Sequence, residues 1–193
     1  MVFAFLCHSV TGTPCRILYS AVFGDDLSME TDHDSTQKGQ RTTRKEQLLQ
    51  VSCRVQSEYG FRTAVKDRVH RSSEDTSNDH RFQPEKGFFR LYPGDPFLSA
   101  KAVVWSVIEE CAYVMICELD ENRLLAEIVL AVITRLIRDH VTSLEQKNAE
   151  ILLKAEKTAA ILHHFLPCGQ LVFMNHRLIA QNERHLERTL ATK

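Results

Sequence analysis

Two sets of side chains in this sequence have the atoms for chemistry. Cys7 and His8 supply a thiol and an imidazole, the pair from which a hydrolase builds a nucleophile and its base. They are neighbours in a run that reads as a strand, and successive strand side chains point to opposite faces. The spacing therefore denies them a shared site, and a buried thiol beside an edge imidazole is the better reading. His163, His164 and Cys168 are metal-ligand types close together. Adjacent residues on a helix diverge by about 100°, and zinc sites draw further ligands from a second short-spaced pair. No such pair occurs elsewhere in the chain, so neither a metal nor another cofactor is expected. The sequence also has no G-x-S-x-G, H-E-x-x-H or G-x-x-x-x-G-K-[ST] motif, the signatures of a nucleophile elbow, a zinc protease and a phosphate-binding loop. No catalytic residue is expected; a small cytosolic hydrolase with a Cys or Ser nucleophile stands as the alternative reading.

Charge and composition narrow the classes further. The 193 residues carry 24 Lys and Arg against 25 Asp and Glu, a formal net charge of −1. A near-neutral chain lacks the cationic surplus of broad nucleic-acid binding or of a polybasic membrane anchor. Hydrophobic residues make up 44% of the chain, enough for one core, and the length predicts one domain, 1–193. Seven Gly and five Pro fall below the usual share, so regular elements should dominate. The six cysteines have no paired short spacing. Cys7, Cys53, Cys111 and Cys117 lie in or beside apolar runs and read as reduced, buried small hydrophobes of a reducing compartment. The apolar run at 1–10 lacks a basic stretch before it and a cleavage pattern after it, so it reads as a strand and not as a signal peptide. The longest hydrophobic stretch, 124–141, is broken by Glu127, Arg135, Arg138, Asp139 and His140, and no transmembrane segment is expected.

The elements that must position these residues follow from periodicity. Val2 to Val10 and Arg16 to Phe23 read as a hairpin turning at Thr11-Gly12-Thr13-Pro14. Strict alternation puts Val2, Ala4 and Leu6 on one side of the first strand and Phe3, Phe5 and Cys7 on the other. Both sides are apolar, so the sheet needs helices on both faces. Residues 25–43 are acidic and polar and read as a solvated, disordered loop. Thr43-Arg44-Lys45-Glu46 is a capping box, and Leu48, Val51, Val55 and Tyr59 form a stripe, which predicts a helix from Arg44 to Tyr59 stopped at Gly60. A second polar, disordered loop is expected at 66–86. Strands are predicted at Phe88 to Tyr92, Ala102 to Ile108 and Ala112 to Leu119, the last two joined by Glu109-Glu110-Cys111. Helices follow at Glu121 to Val141, Asn148 to Phe165 and Leu178 to Leu190. Trp105 and the stripe Leu125, Val129, Val132 and Leu136 read as core. The fold class is α/β (α+β): a five-stranded, mainly antiparallel sheet between helical layers.

Particular words in that layout resemble a known family. They include Met1-Val2 with Ala4-Phe5-Leu6 and His8, then Cys15-Arg16-Ile17-Leu18-Tyr19-Ser20 with Val22-Phe23-Gly24, Arg44-Lys45-Glu46-Gln47 and Phe89-Arg90-Leu91. Further on come Val103-Val104-Trp105, Glu121-Asn122 with Leu124-Leu125-Ala126-Glu127, Thr134-Arg135-Leu136, Asp139-His140, Phe165-Leu166-Pro167 and Gly169-Gln170-Leu171. In order and spacing the chain resembles the longin-like sigma subunits of adaptor-protein coat complexes, and within them the sigma subunits of the fifth adaptor complex. The resemblance implies a non-catalytic small core subunit of a heterotetramer, held by a zeta subunit beside beta and mu. It implies spatacsin and spastizin as associates, and work in vesicle-mediated transport and cargo retrieval at late endosomal and lysosomal membranes, which the chain reaches from the cytosol as part of the complex. Another longin-type trafficking regulator is a near alternative.

The resemblance also marks one residue. In sigma subunits of clathrin-associated adaptors a basic residue at the start of the second strand helps to bind acidic dileucine signals, and Arg16 lies in a comparable place. A guanidinium can pair two-pronged with a carboxylate there; a surface Arg or a contact to the large subunit are the other readings. The apolar width of the 121–141 helix further predicts a patch that a larger subunit would cover.

Overall fold

The computed structural model describes residues 1–12, 15–24, 43–70, 84–141 and 147–191. Five strands build one sheet: β1 (Val2–Ser9), β2 (Ile17–Val22), β3 (Glu85–Leu91), β4 (Lys101–Ile108) and β5 (Cys111–Glu118). Their spatial order is β2-β1-β5-β4-β3, and every neighbouring pair is antiparallel. The three inner strands β1, β5 and β4 are buried along almost their whole length, as double-sided apolar runs require. The longin-like layering read from the sequence is therefore present, with helices on both faces.

One face is covered by α1 (Arg44–His70) and the other by α2 (Arg123–His140), α3 (Lys147–Leu153), α4 (Ala155–Phe165) and α5 (His176–Ala191). The alternation expected along β1 fails at one point. Val2, Phe5 and Cys7 face α2 and its neighbours, whereas Phe3, Ala4 and Leu6 face α1. A register shift between Val2 and Ala4 in the pairing with β5 is the cause: one extra residue puts Phe3 and Ala4 on the same side and reverses the parity beyond.

The capping box closes as expected, with Glu46 Oε2 accepting from the Thr43 amide at 2.7 Å and Thr43 Oγ1 facing the Glu46 amide at 3.4 Å. The helix does not stop at Gly60 but continues to His70. Glycine in a helix interior costs only about 1 kcal/mol against alanine, and the second half recovers tertiary contacts. Arg62 donates to the Lys86 carbonyl and to Glu58, both at 2.6 Å, and Lys66 pairs with Glu85. The polar loop expected at 66–86 is thereby shortened at both ends, and its middle, 71–83, lies outside the described residues, as does the loop expected at 25–43 apart from Thr43.

Asn122 caps α2, its Oδ1 accepting from the Leu125 amide at 3.1 Å. The helix expected from Asn148 to Phe165 is two helices. Lys154 leaves helical geometry (φ −113°, ψ 38°) and its Nζ donates to the Val141 carbonyl at 3.0 Å. Lys157 reaches the His140 carbonyl at 3.5 Å, so the break supplies donors to the end of α2, where carbonyls lack intrahelical partners. After α4, Gly169 (φ 76°) closes the turn against β1. A Cβ there would lie 2.6 Å from both the Phe23 Cβ and the Val2 carbonyl oxygen, which leaves glycine as the residue that fits.

Candidate interaction surfaces

The structure separates Cys7 from His8, as the strand spacing predicted. Cys7 is buried under α2, where burial and the adjacent Cys111 push its thiol well up. His8 pairs with Ala112 on the α1 face. What sequence reading missed is Cys15, whose Sγ lies 3.2 Å from His8 Nδ1. The hairpin arithmetic could have found it, because His8 opposite Ile17 puts Cys15 one diagonal step away on the same face.

This contact is not the start of a nucleophile. His8 Nδ1 also lies 3.0 Å from the Ser9 carbonyl, which only accepts, so the nitrogen beside the sulfur carries the proton. Nε2 points the other way and is buried with no partner among the described residues. Burial lowers the His8 pKa; burial, with the neighbouring Cys53 adding to it, pushes the Cys15 thiol up to about 11. A thiol held neutral beside an imidazole that already carries its proton there gives neither thiolate nor base. Cys53, expected among the buried thiols, is exposed on α1, and Cys15 takes its place inside. All six cysteines are free.

His163 and His164 stand at the seam of α4 and α5, with ring centroids 5.6 Å apart. The His164 carbonyl accepts from Asn182 at 3.3 Å, and its Nε2 is 3.5 Å from Thr189 Oγ1. Cys168 is exposed on the turn after α4, at φ 48°. Among the described residues no three His, Cys, Asp or Glu side chains converge as a metal site.

Arg16 is exposed immediately before β2, at the mouth of the hairpin, and its carbonyl accepts from the Ser9 amide at 2.9 Å. The hairpin is fixed from outside by Gln56 of α1, whose Nε2 donates to the carbonyls of Val10 at 3.0 Å and Gly12 at 2.9 Å. Arg16 thus presents a cationic side chain to solvent beside a strand end tied to α1.

Trp105 is fully buried, Val129 and Leu136 are buried, and Leu125 and Val132 are partly so, which places the expected core stripe where the periodicity put it. The helix is wider than that stripe. Leu124 and Ile128, one turn apart on its outer edge, are 70% and 53% exposed. Two large aliphatics at an i,i+4 spacing form a continuous ridge on the surface of the helix. No helix among the described residues is long and apolar enough to cross a membrane.

The family model described as AP-5 complex subunit sigma-1 matches residues 1–187. The human AP-5 complex subunit sigma-1 is 34% identical over 194 residues, spanning 95% of this chain and 96% of that protein. The mouse AP-5 complex subunit sigma-1 is 33% identical over 154 residues, spanning 73% of this chain and 88% of its own length.

Proposed function

The chain belongs to the AP-5 complex subunit sigma-1 family, and on that premise we propose that it is the non-catalytic small core subunit of a heterotetrameric fifth adaptor complex. The observation that carries this reading is the similarity along nearly the whole of both chains. In this reading a zeta subunit grips the chain beside beta and mu, spatacsin and spastizin associate with the assembly, and the complex acts in cargo retrieval from late endosomes and lysosomes. Membrane contact is then a property of the assembly. The outer edge of α2 fits this role: Leu124 and Ile128 are too exposed to serve the core and are suited to burial by a larger chain. The hydrolase reading finds no support in Cys15 and His8, whose protons sit in the wrong places.

Co-purification is the test. A tagged chain should recover zeta, beta and mu in stoichiometric amounts, and Leu124→Glu with Ile128→Glu should release them while the thermal midpoint of the free chain stays within a few degrees. Recovery of the chain alone, as a stable monodisperse monomer, would be incompatible with the reading. Arg16 is proposed to hold an acidic group of cargo or of a partner. If Arg16→Ala left cargo-peptide binding and assembly both unchanged, the residue would have no such role.

A further inference from the structure

The two edges of the sheet differ. β2 pairs with β1 across a register shift at Cys7 and His8 and lies against α3. β3 is last in the strand order on the other side, pairs with β4 along all its seven residues without a shift and contains no proline. A straight edge strand is where another chain can add.

The neighbouring hairpin decides which backbone groups of β3 point outward. Glu109 and Glu110 form a two-residue turn, with Glu109 at φ 57°, closed by the pair Ile108 and Cys111. The pair closing such a turn exchanges hydrogen bonds, and bonded pairs recur at every second residue. The alternate residues Lys101, Val103, Trp105 and Val107 therefore turn their amides and carbonyls to β3, where they meet Leu91, Phe89, Gly87 and Glu85. The amides and carbonyls of Lys86, Phe88 and Arg90 are left facing away from the sheet. The Lys86 carbonyl agrees with this parity, since it accepts from Arg62 of α1 at 2.6 Å. Among the described residues no other group bonds to these outward amides and carbonyls.

The side chains of the same three residues fall on the α2 side. Phe88 packs against the core there, under the Arg123 guanidinium at 4.2 Å. Lys86 and Arg90, about 14 Å apart on either side of it, are exposed, and neither makes an ion pair among the described residues. Glu58, Glu85 and Glu127 are already taken, by Arg62, Lys66 and Arg123. A second copy pairing along the length of β3 would set like charges directly opposite one another, which is destabilising. An acidic strand meets the reverse condition.

We propose that the outer edge of β3 takes an extended acidic segment of a partner protein by strand addition. Main-chain bonds run to Phe88 and Arg90, acidic side chains stand opposite Lys86 and Arg90, and an apolar one stands opposite Phe88. The guest strand therefore reads acidic, any, apolar, any, acidic. Arg16, just before β2, belongs to the opposite edge, so this surface is separate from the one proposed for it.

The full-length chain and a labelled, end-capped peptide, Thr-Glu-Thr-Val-Thr-Glu-Thr, test this by fluorescence anisotropy and amide hydrogen exchange. The Phe88 and Arg90 amides should exchange fast in the free chain and slow on binding. A peptide with Lys for both Glu should bind at least about tenfold more weakly, and Lys86→Gln or Arg90→Gln should cost about threefold each. N-methylation of the peptide Val should cost at least about tenfold, because it removes a ladder donor as proline does. Lys86→Glu with Arg90→Glu, both at exposed positions, should keep the thermal midpoint and reverse the preference between the two peptides. No binding, equal binding of both peptides, indifference to N-methylation, or outward amides already protected without peptide would each overturn the proposal. Self-association lost on Lys86→Glu with Arg90→Glu would overturn it too, in favour of a second copy. A chain that assembles with zeta, beta and mu yet fails these tests would lose this inference and keep the subunit assignment.

Discussion

The two faces of the sheet are covered in different ways. Toward α2 the cover is mainly aliphatic: Ala126, Val129, Leu130, Ile133, Leu136 and Ile137 are buried from that one helix together with Thr134, and Ile161 and Leu162 from α4 together with Thr158 and Phe165. Toward α1 the described side chains give only Leu48, Val51, Ser52 and Val55 as buried. Part of that face is aromatic surface under cations. Arg44 lies over Phe3 at 5.8 Å, Arg54 over Phe89 at 4.4 Å and Arg62 over Trp105 at 5.0 Å, while Lys101 lies over Phe3 at 4.9 Å. Arginine stems screen the rings from water while their heads stay wet, and each cation adds an attraction to the ring quadrupole. These contacts add to the stripe Leu48, Val51 and Val55 and do not replace it, and Arg123 of α2 makes one contact of the same kind on the other face, over Phe88 at 4.2 Å.

The largest expected effect compares like with like on the two roofs. Leu130 and Leu48 are both buried, and Leu→Ala in cores costs about 2–5 kcal/mol, more where the site cannot collapse. Leu130→Ala should fall near the top of that span, because it lies among several packed helices. Leu48→Ala should fall near the bottom, under a single helix free to settle. Urea unfolding of both variants measures the difference, and equal losses would mean that the arginine roof is as rigid as the aliphatic one.

A smaller effect sharpens the account of the α1 face. Gly87 sits opposite Trp105 in the β3–β4 pair, and a Cβ on it would lie 2.1 Å from two ring carbons. Gly87→Ala must push the indole toward Arg62, an overpacking that costs about 1–3 kcal/mol. The chain has one tryptophan, so its fluorescence reports the displacement directly. A destabilised protein with an unmoved emission maximum would show that the strand yields and the roof does not.

That contrast explains what the sequence could and could not disclose. The strands, the Thr43 box and α2 were legible because each rests on a local pattern. The true end of α1 was not, because beyond Tyr59 the helix is held by Arg62 and Lys66 reaching other elements, and no stripe records that. The bulge at Phe3 and Ala4 left no trace either, having neither Gly nor Pro to mark it. The split between α3 and α4 depends on where Lys154 finds a carbonyl, which is a tertiary fact. Among candidate sites, the separation of Cys7 from His8 was readable from strand geometry. The contact of His8 with Cys15 needed the hairpin register, and the exposure of Cys53 needed the helix phase. Arg16 stood out only through the family resemblance.

The smallest expected effect is one of pH, and it falls on the α1 face. His8 is fully buried there, and burial outweighs the Ser9 carbonyl contact, so its pKa in the folded chain is lowered. An unfolded histidine titrates near about 6.5. Between that value and the lower native one, the unfolded chain binds a proton that the folded chain refuses, so stability rises with pH through this window. The contribution is complete above about pH 6.5 and is lost as the pH falls through the native pKa. The buried hydroxyls on the opposite side that find no partner among the described residues, Thr134 of α2 and Thr158 of α4, do not titrate and add no slope. His8→Leu should therefore flatten the fall in urea midpoint between about pH 6.5 and pH 5 while leaving the neutral-pH fold intact. His164→Gln should flatten it less, because His164 is only lightly buried and its lowering is shared with two neighbouring histidines. An unchanged acid limb in His8→Leu would remove the α1 face as the seat of the pH response.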